Sequence, residues 1–333
     1  MVRVGVVGHK GYSGAELIAI LRNHSDVTPV LLDHREERIA SKFLHPAPIA
    51  RAACTGEAAR SERLAVVFLA TPPEVSMELA PAMLEAGARV IDLSGAFRLQ
   101  TPERYLAWYK QPHTQPELLA DAVYGLPEFC RERIRGARLI ANPGCYPTAA
   151  NLAIRPLLEA GLIDRRAGVI CDAKSGVSGA GRKPAASTSF CEVTENFSAY
   201  SILHHRHVPE VLQISGLEEG EFSFTAQLLP IDRGILETIY FRAARETSAD
   251  ELMEAYRKRY AVEPFIRLYE PGCTPDLRSV QRTNFCDIGV TFDAKTGRGV
   301  IVSAIDNLGK GAAGQAVQNM NLLLGFPEAK GLL

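Results

Sequence analysis

Short apolar runs alternate with amphipathic stretches through the first half of the chain. The runs are rich in Val, Ile and Leu, which predicts strands buried on both faces, as in a parallel sheet. They cover residues 2–7, 27–33, 64–69, 89–93 and 137–141. Apolar residues recur at helical spacing over 14–24 and 74–86. This strand–helix–strand order predicts an α/β domain with a doubly wound, Rossmann-like sheet.

The pattern changes after about residue 165. Four segments show partial alternation of apolar and polar residues, which predicts antiparallel strands with one covered face. They cover residues 222–230, 235–243, 285–292 and 299–305. Ser248 and Glu251 form a capping-box pattern at the start of a helix over 248–261, and 311–324 predicts a closing helix. The second half is therefore expected to be an α+β domain.

Composition narrows the classes of protein that this chain can represent. A length of 333 residues suggests two domains. The 37 Lys and Arg residues balance 38 acidic residues, which argues against a general nucleic-acid binder and against attachment to an anionic membrane. No apolar run approaches the roughly 20 residues that span a bilayer. Seven scattered cysteines without a CxxC pair argue against a disulfide scaffold or zinc module and favour a reducing cytoplasm.

A glycine-rich segment follows the first predicted strand and opens the first helix. Gly8, Gly11 and Gly14 give the spacing GxxGxxG. Such glycines permit a tight turn in which backbone N–H groups and the helix N-terminus approach a diphosphate. The alternative is a glycine-rich turn without a ligand.

The end of the second strand bears charges of both signs. Asp33 favours the ribose 2′-hydroxyl of NAD, whereas Arg35 favours the 2′-phosphate of NADP. Residue type alone leaves the choice open, and a solvated run of charges is a further alternative.

Cys145 lies within the segment NPGCYPT, residues 142–148, between a predicted strand and a predicted helix. The N-terminal amides of a helix stabilise a thiolate, which is one way in which a nucleophilic cysteine is formed. The other six cysteines have no such turn, and Cys171 and Cys286 fall in apolar strands as packing residues. A purely structural Cys145 is the alternative.

Three of the eight histidines lie close together, at positions 204, 205 and 207, followed by Glu210. One interpretation is metal binding, although no third ligand group or CxxC pair accompanies them. The other is a general acid/base that Glu210 tunes or orients, in partnership with a thiolate. A solvated loop with incidental histidines is the third.

Two polar segments could bind anionic groups. Residues 172–183 form a Gly- and Ser-rich loop flanked by Lys174 and Arg182. Residues 92–98 end a strand and offer the hydroxyl of Ser94 and the guanidinium of Arg98 to a phosphate. Either segment could equally be a structural loop.

Seven motifs together resemble the N-acetyl-gamma-glutamyl-phosphate reductases, NADPH-dependent enzymes of arginine biosynthesis. In chain order these are GxxGYSGAEL (8–17), DLSGAFRL (92–99), YGLPE (124–128), NPGCYPTA (142–149), SGVSGAGRK (175–183), HRHVPE (205–210) and DNLGKGAAGQAVQNMN (306–321). The family is related to the aspartate-semialdehyde and glyceraldehyde-phosphate dehydrogenases. The resemblance implies an NADP-binding domain over 1–145, completed by a C-terminal helix at 310–333. It also implies a catalytic and dimerisation domain over 146–309, in a homo-oligomer (a dimer or tetramer).

The resemblance implies roles for individual residues. Cys145 is the implied nucleophile, His207 the acid/base, and Asn307 a contact of the nicotinamide. The implied cofactor-binding residues are Gly8, Gly11, Tyr12, Ser13, Gly14, Arg35, Ser175, Gly176 and Asn307. Arg35 favours NADP, whereas Asp33 and His34 replace the small polar residues that are more usual in the family. Many members read DLSADFR where this chain has Gly95 and Ala96, so Ser94 and Arg98 are the matching polar residues.

A mechanism follows from these residue types. The Cys145 thiolate attacks an acyl phosphate, phosphate leaves, and hydride from NADPH reduces the resulting thioester while His207 supplies a proton. Ser94 and Arg98 are candidates for binding the leaving phosphate. The other predicted substrate-side residues are Lys174, Arg182 and His205, as anchors for a carboxylate, and Glu210.

Three alternatives remain open on the sequence. A related reductase could act on the same kind of acyl phosphate carried on a small acidic protein. Aspartate-semialdehyde dehydrogenase is a more distant enzyme alternative, which HRHVPE and the C-terminal motif disfavour. A catalytically inactive nucleotide-binding regulator is the non-enzyme alternative.

Overall fold

A computed structural model describes residues 1–34 and 49–333 and divides the chain into two compact units. Of the described residues, the first unit contains 1–34, 49–102, 112–142 and 316–332. The second contains residues 103–111 and 143–315 together with Leu333. The change of unit between Asn142 and Pro143 places Cys145 in the second unit.

The first unit is a parallel sheet with helical connections, as the first half of the sequence predicts. Its strands are β1 (Val2–Val7), β2 (Val27–Asp33), β3 (Ala50–Ala53), β4 (Val66–Leu69), β5 (Arg89–Asp92), β6 (Val123–Tyr124) and β7 (Leu139–Ala141). Their order is β3-β2-β1-β4-β5-β7-β6 and every pairing among the described strands is parallel. Val4, Val6, Phe68, Val90 and Ile140 are fully buried, as expected for strands covered on both faces.

Six helices are described before residue 143. They are α1 (Tyr12–Asn23), α2 (Gly56–Ser61), α3 (Pro73–Glu85), α4 (Pro102–Tyr109), α5 (Pro116–Asp121) and α6 (Pro127–Arg135). The apolar spacing predicts α1 and α3 to within two residues at each end. The helices α2 and α4 to α6 were not predicted, because each is nine residues or shorter and carries no long amphipathic repeat.

The second unit is built on a mixed sheet. Its helices are α4, which lies in this unit from residue 103 onward, α7 (Cys145–Glu159), α8 (Phe190–Val193), α9 (Val208–Ser215) and α10 (Ala249–Tyr260). Its strands are β8 (Val169–Gly176), β9 (Ser198–Tyr200), β10 (Phe222–Leu229), β11 (Ile235–Arg242), β12 (Ile266–Leu268), β13 (Cys286–Asp293) and β14 (Arg298–Ile305). The order is β12-β13-β14-β11-β8-β10-β9. Helices α7 and α10 pack on this sheet.

Two details of the second unit differ from the sequence prediction. β10 pairs parallel with β8, although it was expected in an antiparallel arrangement; β11, β13 and β14 are antiparallel as predicted. Residues 172–176, predicted as loop, form the second half of β8. This part was predicted as a loop because its Ser, Gly and Lys residues are typical of loops. In the strand, Cys171 and Ala173 face the core, while Asp172 and Lys174 are less buried. Cys171 and Cys286 are buried strand residues, as predicted.

The last helix returns to the first unit. A π-helical turn over Gly309–Ala313 precedes α11 (Gly314–Leu324), and residues 316–332 belong to the first unit. Asn319 Nδ2 donates to Gly125 O at 2.9 Å and to Asn142 Oδ1 at 3.1 Å. Asn321 Oδ1 lies 3.0 Å from His24 Nε2. These buried hydrogen bonds explain why the apolar face of α11 is interrupted by amide side chains.

Candidate active site

Cys145 is the first residue of α7. Gly144 is the N-cap with extended backbone angles (φ −66°, ψ 152°), and its carbonyl accepts from both the backbone N and Oγ1 of Thr148, at 3.0 and 2.9 Å. The first amides of a helix have no acceptor within it, and their partial positive charge stabilises a thiolate. Cys145 is half-buried and lines a cavity, so the residue is not sealed in the interior.

Glu210 connects this turn to α9. Its side chain is fully buried, and Oε2 accepts a hydrogen bond from the backbone N of Gly144 at 2.9 Å. Glu210 lies in the first turn of α9, whose N-cap is His207. The Glu210 carboxylate therefore links the turn that carries Cys145 to α9, the helix that His207 caps. This burial favours a positioning role for Glu210 over the predicted contact with substrate.

His205 and His207 are nearly buried and face one another. Their ring centroids are 4.7 Å apart at 69°, and the backbone N of His207 donates to His205 Nδ1 at 3.1 Å. Burial, and then the positive charge of Arg206, lower the pKa of His205 to about 4. A neutral His205 cannot supply positive charge at neutral pH, so it does not suit the predicted anchoring of a carboxylate. His207 remains the candidate acid/base.

The cysteine and the histidines line one cavity of about 470 Å³. This is the usual size of a small-molecule site. Ser175 and Arg206 also line it. Among the lining residues in the described part of the chain, Arg206 is the one with a permanent positive charge.

Two tyrosines form part of the cavity wall and were not predicted. The hydroxyls of Tyr146 and Tyr200 lie 3.2 Å apart, and the ring of Tyr146 meets His205 and His207 edge-on. Burial raises the pKa of both phenols, so both remain neutral hydrogen-bonding groups. Tyr146 directly follows Cys145 in the NPGCYPT segment, so its position in the site could have been predicted from the sequence. No motif in the sequence indicates Tyr200.

The predicted anion-binding segment of 172–183 is only partly directed into this cavity. Ser175 lines it, and Gly176 donates its backbone N–H to Gly234 O at 2.9 Å. Lys174 Nζ is instead 2.6 Å from Asp172 Oδ2, and neither Lys174 nor Arg182 lines the cavity. The two predicted carboxylate anchors are therefore not brought to Cys145, because alternate residues of β8 point to opposite faces of the sheet and Arg182 is exposed.

Asn307 is buried, and both ends of its side chain bind protein groups. Oδ1 accepts from Gly234 N at 2.7 Å and Nδ2 donates to Ser178 Oγ at 3.0 Å. The nicotinamide contact stays a prediction. The same C-terminal motif contributes Gly311, where an added Cβ would lie 2.8 Å from the Cβ of Cys145. Only glycine permits this close approach behind the cysteine.

The glycine-rich segment of the first unit has the geometry of an anion-binding turn. Gly8 has φ +77°, and a Cβ there would lie 2.1 Å from Ala70 O. A Cβ on Gly14 would lie 2.3 Å from Gly8 O, and Gly11 is the N-cap of α1 without a side-chain capping bond. The amides that open α1 at Tyr12 and Ser13 therefore suit the diphosphate of a dinucleotide. Arg35 lies outside the described residues.

Ser94 and Arg98 are both largely buried, and both bind protein groups. Ser94 Oγ donates to Asp92 Oδ2 at 2.8 Å and accepts from Ala96 N at 3.1 Å. Arg98 donates to Asn142 O and to Leu93 O, each at 2.9 Å. These bonds hold the loop after β5 and favour a structural role over the predicted binding of the leaving phosphate.

Comparison with known proteins identifies the family. The semialdehyde dehydrogenase NAD binding domain matches residues 3–137, and the semialdehyde dehydrogenase dimerisation domain matches residues 145–307. The chain is 47% identical to the N-acetyl-gamma-glutamyl-phosphate reductase of Symbiobacterium thermophilum over 342 residues, covering all of this chain and 97% of that protein. The chain belongs to the N-acetyl-gamma-glutamyl-phosphate reductase family. The member from Nitrosococcus oceani is 46% identical over 341 residues, covering 100% of this chain and 98% of that protein.

Solved structures confirm the fold expected of this reductase family. Aspartate semialdehyde dehydrogenase II from Vibrio cholerae, complexed with ASA, superposes with a TM-score of 0.73 at 20% identity and covers 98% of each chain. The Candida albicans aspartate semialdehyde dehydrogenase with NADP gives 0.70 at 18% identity over the whole of both chains. The predicted Rossmann-like domain and second domain of the semialdehyde dehydrogenase type are confirmed.

Two further findings bear on the kinds of site that this reductase chain contains. Within residues 1–34 and 49–333, no group of three His, Cys, Asp or Glu side chains is arranged to hold a metal ion. No helix in the same residues is long and apolar enough to cross a membrane.

Proposed function

We propose that this chain catalyses the NADPH-dependent reduction of N-acetyl-gamma-glutamyl phosphate to N-acetyl-glutamate 5-semialdehyde and phosphate, a step of arginine biosynthesis. The observation that carries the proposal is Cys145, which opens α7 and lines one cavity with His207. The relatives that bear this activity in their names match the chain over its full length.

The first step is acyl transfer to the cysteine. The thiolate of Cys145 attacks the acyl carbon, the bond to the phosphate oxygen breaks, and phosphate leaves with that electron pair. The helix N-terminus stabilises the thiolate, while Glu210 and Gly311 fix the position of the turn that carries it. The product of this step is a thioester on Cys145.

The second step converts the thioester into the aldehyde. NADPH supplies a hydride to the acyl carbon when it is bound. His207 then donates a proton to the developing alkoxide or accepts one as the thiohemiacetal collapses, which releases the aldehyde and regenerates Cys145. Tyr146 and Tyr200 stay neutral and are hydrogen-bonding groups in the wall of the cavity that contains Cys145.

The chain has groups that fit the cofactor and the substrate. The amides at the start of α1, which include Tyr12, Ser13 and Gly14, suit the diphosphate. The family resemblance assigns Ser175, Gly176 and Asn307 to the cofactor, with Asn307 at the nicotinamide. Arg206 is the cation of the cavity that contains Cys145, and we assign it to the substrate's carboxylate. This replaces Lys174, Arg182 and His205 as the anchor.

We infer that the protein is a cytoplasmic homo-oligomer that acts on a small molecule. The match to a dimerisation domain supports assembly. The face of the mixed sheet opposite α7 carries the exposed side chains of Ile170 and Tyr240, which are register partners on β8 and β11. An apolar pair in the centre of an open sheet face is suited to burial against a second copy.

The reverse reaction tests the proposal directly. Purified protein supplied with N-acetyl-glutamate semialdehyde, phosphate and NADP⁺ should form NADPH, and omission of phosphate should abolish the signal. Aspartate semialdehyde and NAD⁺, substituted in turn, should support much slower rates. The Cys145→Ser variant should lose nearly all turnover while its affinity for NADPH stays within about threefold, because serine is far less nucleophilic at similar size.

Three outcomes of this assay, extended to a carrier-linked acyl group, would contradict the proposal. NADPH formation that does not require phosphate would exclude acyl-phosphate chemistry, and no turnover with normal NADPH binding would favour the inactive regulator. Activity restricted to an acyl group on a carrier protein would favour the carrier-linked reductase.

A further inference from the structure

The carboxylate at the end of β2 is held by an arginine on the neighbouring strand. Arg51 Nη2 lies 2.6 Å from Asp33 Oδ1, and Arg51 Nε lies 3.0 Å from Asp33 Oδ2. The strands β2 and β3 are parallel, so the two side chains meet near the carboxyl edge of the sheet. His9, from the glycine-rich turn, lies 3.7 Å from the same carboxylate.

This position matters for the choice of dinucleotide. In Rossmann-like sheets the adenosine ribose lies near the end of the second strand, and a carboxylate there accepts hydrogen bonds from the hydroxyls of NAD. In this chain both oxygens of Asp33 are already occupied by Arg51. Arg51 therefore takes one acceptor site on each oxygen and offsets the negative charge, which weakens Asp33 as an acceptor for the ribose hydroxyls.

Arg51 also retains binding capacity of its own. A guanidinium has five N–H donors, and the two bonds to Asp33 leave three of them. Its side chain is 53% exposed, whereas that of Asp33 is 34% exposed. The remaining donors can therefore reach a phosphate that approaches from solvent, in the planar geometry that suits such a group.

We propose that the Arg51–Asp33 pair selects NADP over NAD, with Arg51 both occupying the carboxylate and binding the 2′-phosphate. The inference rests on the proposed NADPH-dependent reduction, and it adds a specificity residue on β3 that the sequence motifs did not indicate. The acidic residue at the end of β2 thus becomes compatible with a phosphorylated cofactor.

The test is cofactor binding measured by nicotinamide fluorescence, without any acyl substrate. Arg51→Ala should weaken NADPH binding by about tenfold or more, since a hydrogen bond to a charged group is lost and a bare carboxylate is exposed. Binding of NADH should stay within about threefold or become tighter, as Asp33 becomes free to accept from the ribose. In the double variant Arg51→Ala/Asp33→Asn, removal of the repelling charge should recover about threefold or more of the NADPH affinity.

Arg165→Ala is the matched control. Arg165 forms a comparable ion pair with Glu221 in the second unit, at 2.6 Å and with 46% of the arginine side chain exposed. It should leave the binding of both cofactors unchanged. Equal weakening of NADPH and NADH by Arg51→Ala, or no change in either, would overturn the inference. Because the readout needs no turnover, a failure of the proposed reaction is detected separately, in the phosphate-dependent assay.

Discussion

The position of Cys145 depends on neighbours of three kinds. The amides of α7 stabilise its charge, the buried carboxylate of Glu210 holds the preceding residue, and Gly311 lies directly behind its Cβ. Each neighbour comes from a different part of the chain. A shift of one of them therefore moves the sulfur without removing any reacting group.

Gly311→Ala tests this positioning. The added Cβ would lie 2.8 Å from the Cβ of Cys145, so one of the two backbones must move. Because a misplacement of about 1 Å can cost about 100-fold in rate, we expect kcat to fall by about 10- to 100-fold. Gly220→Ala is the control, since a Cβ there meets no atom within 4 Å.

The Gly311→Ala result is measured by steady-state kinetics, with circular dichroism to confirm that the variant is folded. Wild-type kcat in a folded variant would show that Gly311 does not hold the nucleophile in place.

At the residue scale, sequence reasoning reached furthest where the chemistry is local. The turn predicted Cys145, and the family resemblance selected His207 from the histidine cluster; both residues line the cavity. It was less successful for Lys174 and Arg98, whose charges suggested anion binding. Their partners, Asp172 and main-chain carbonyls, become visible only when the chain is folded.

At the element scale, the segment before α9 brings a histidine with a lowered pKa into the cavity wall. His205 has a pKa of about 4 in the folded protein, below its ordinary value of 6.5, because it is buried. The unfolded chain therefore takes up a proton between these values while the folded protein does not. The contribution of His205 to stability is complete above about pH 6.5 and is lost as the pH falls towards 4.

The variant His205→Gln should remove this part of the pH dependence. Between pH 7 and pH 5 the wild-type free energy of unfolding should fall by up to about 2 kcal/mol more than that of the variant. Urea unfolding at the two pH values measures the difference, with the exposed His204→Gln as control. Identical pH dependence in wild type and His205→Gln would show that His205 is not held neutral.

The elements that the sequence predicted well are those with a long, regular pattern. Strand β1, helix α10 and the antiparallel pair β13 and β14 follow their apolar periodicity closely. Strands β3, β6, β9 and β12 are at most four residues long and were not predicted. Strands β4, β5 and β7 are equally short, but they lie in longer apolar runs that made them recognisable. The strand β8 was recognised only at its apolar beginning, because its polar end resembles a loop.

At the scale of the whole molecule, the candidate cofactor-binding turn and the candidate catalytic residues belong to different compact units. The dinucleotide turn of Gly8, Gly11 and Gly14 belongs to the first unit, and Cys145 with His207 belongs to the second. Sequence reasoning anticipated two domains. It did not anticipate that residues 103–111 join the second unit, since nothing in their composition indicates a packing partner distant in the chain.

The open face of the mixed sheet gives a prediction for assembly. Tyr240 is 44% exposed and Ile170 is 51% exposed, and they lie side by side on β11 and β8. Tyr240→Asp would place a charge in this apolar pair, so we expect light scattering to show a smaller assembly than wild type. Val262→Asp, at an exposed site after α10, is the control.

An unchanged mass for Tyr240→Asp would place the subunit contact on another surface.

The central claim is that Cys145 receives the acyl group before any hydride is transferred. The most direct measurement is rapid-quench release of phosphate from N-acetyl-gamma-glutamyl phosphate in the absence of NADPH. The account predicts a burst of about one phosphate per active site, with the acyl mass on Cys145, and no burst in Cys145→Ser. Phosphate release that requires NADPH, or a burst that persists in Cys145→Ser, would contradict it.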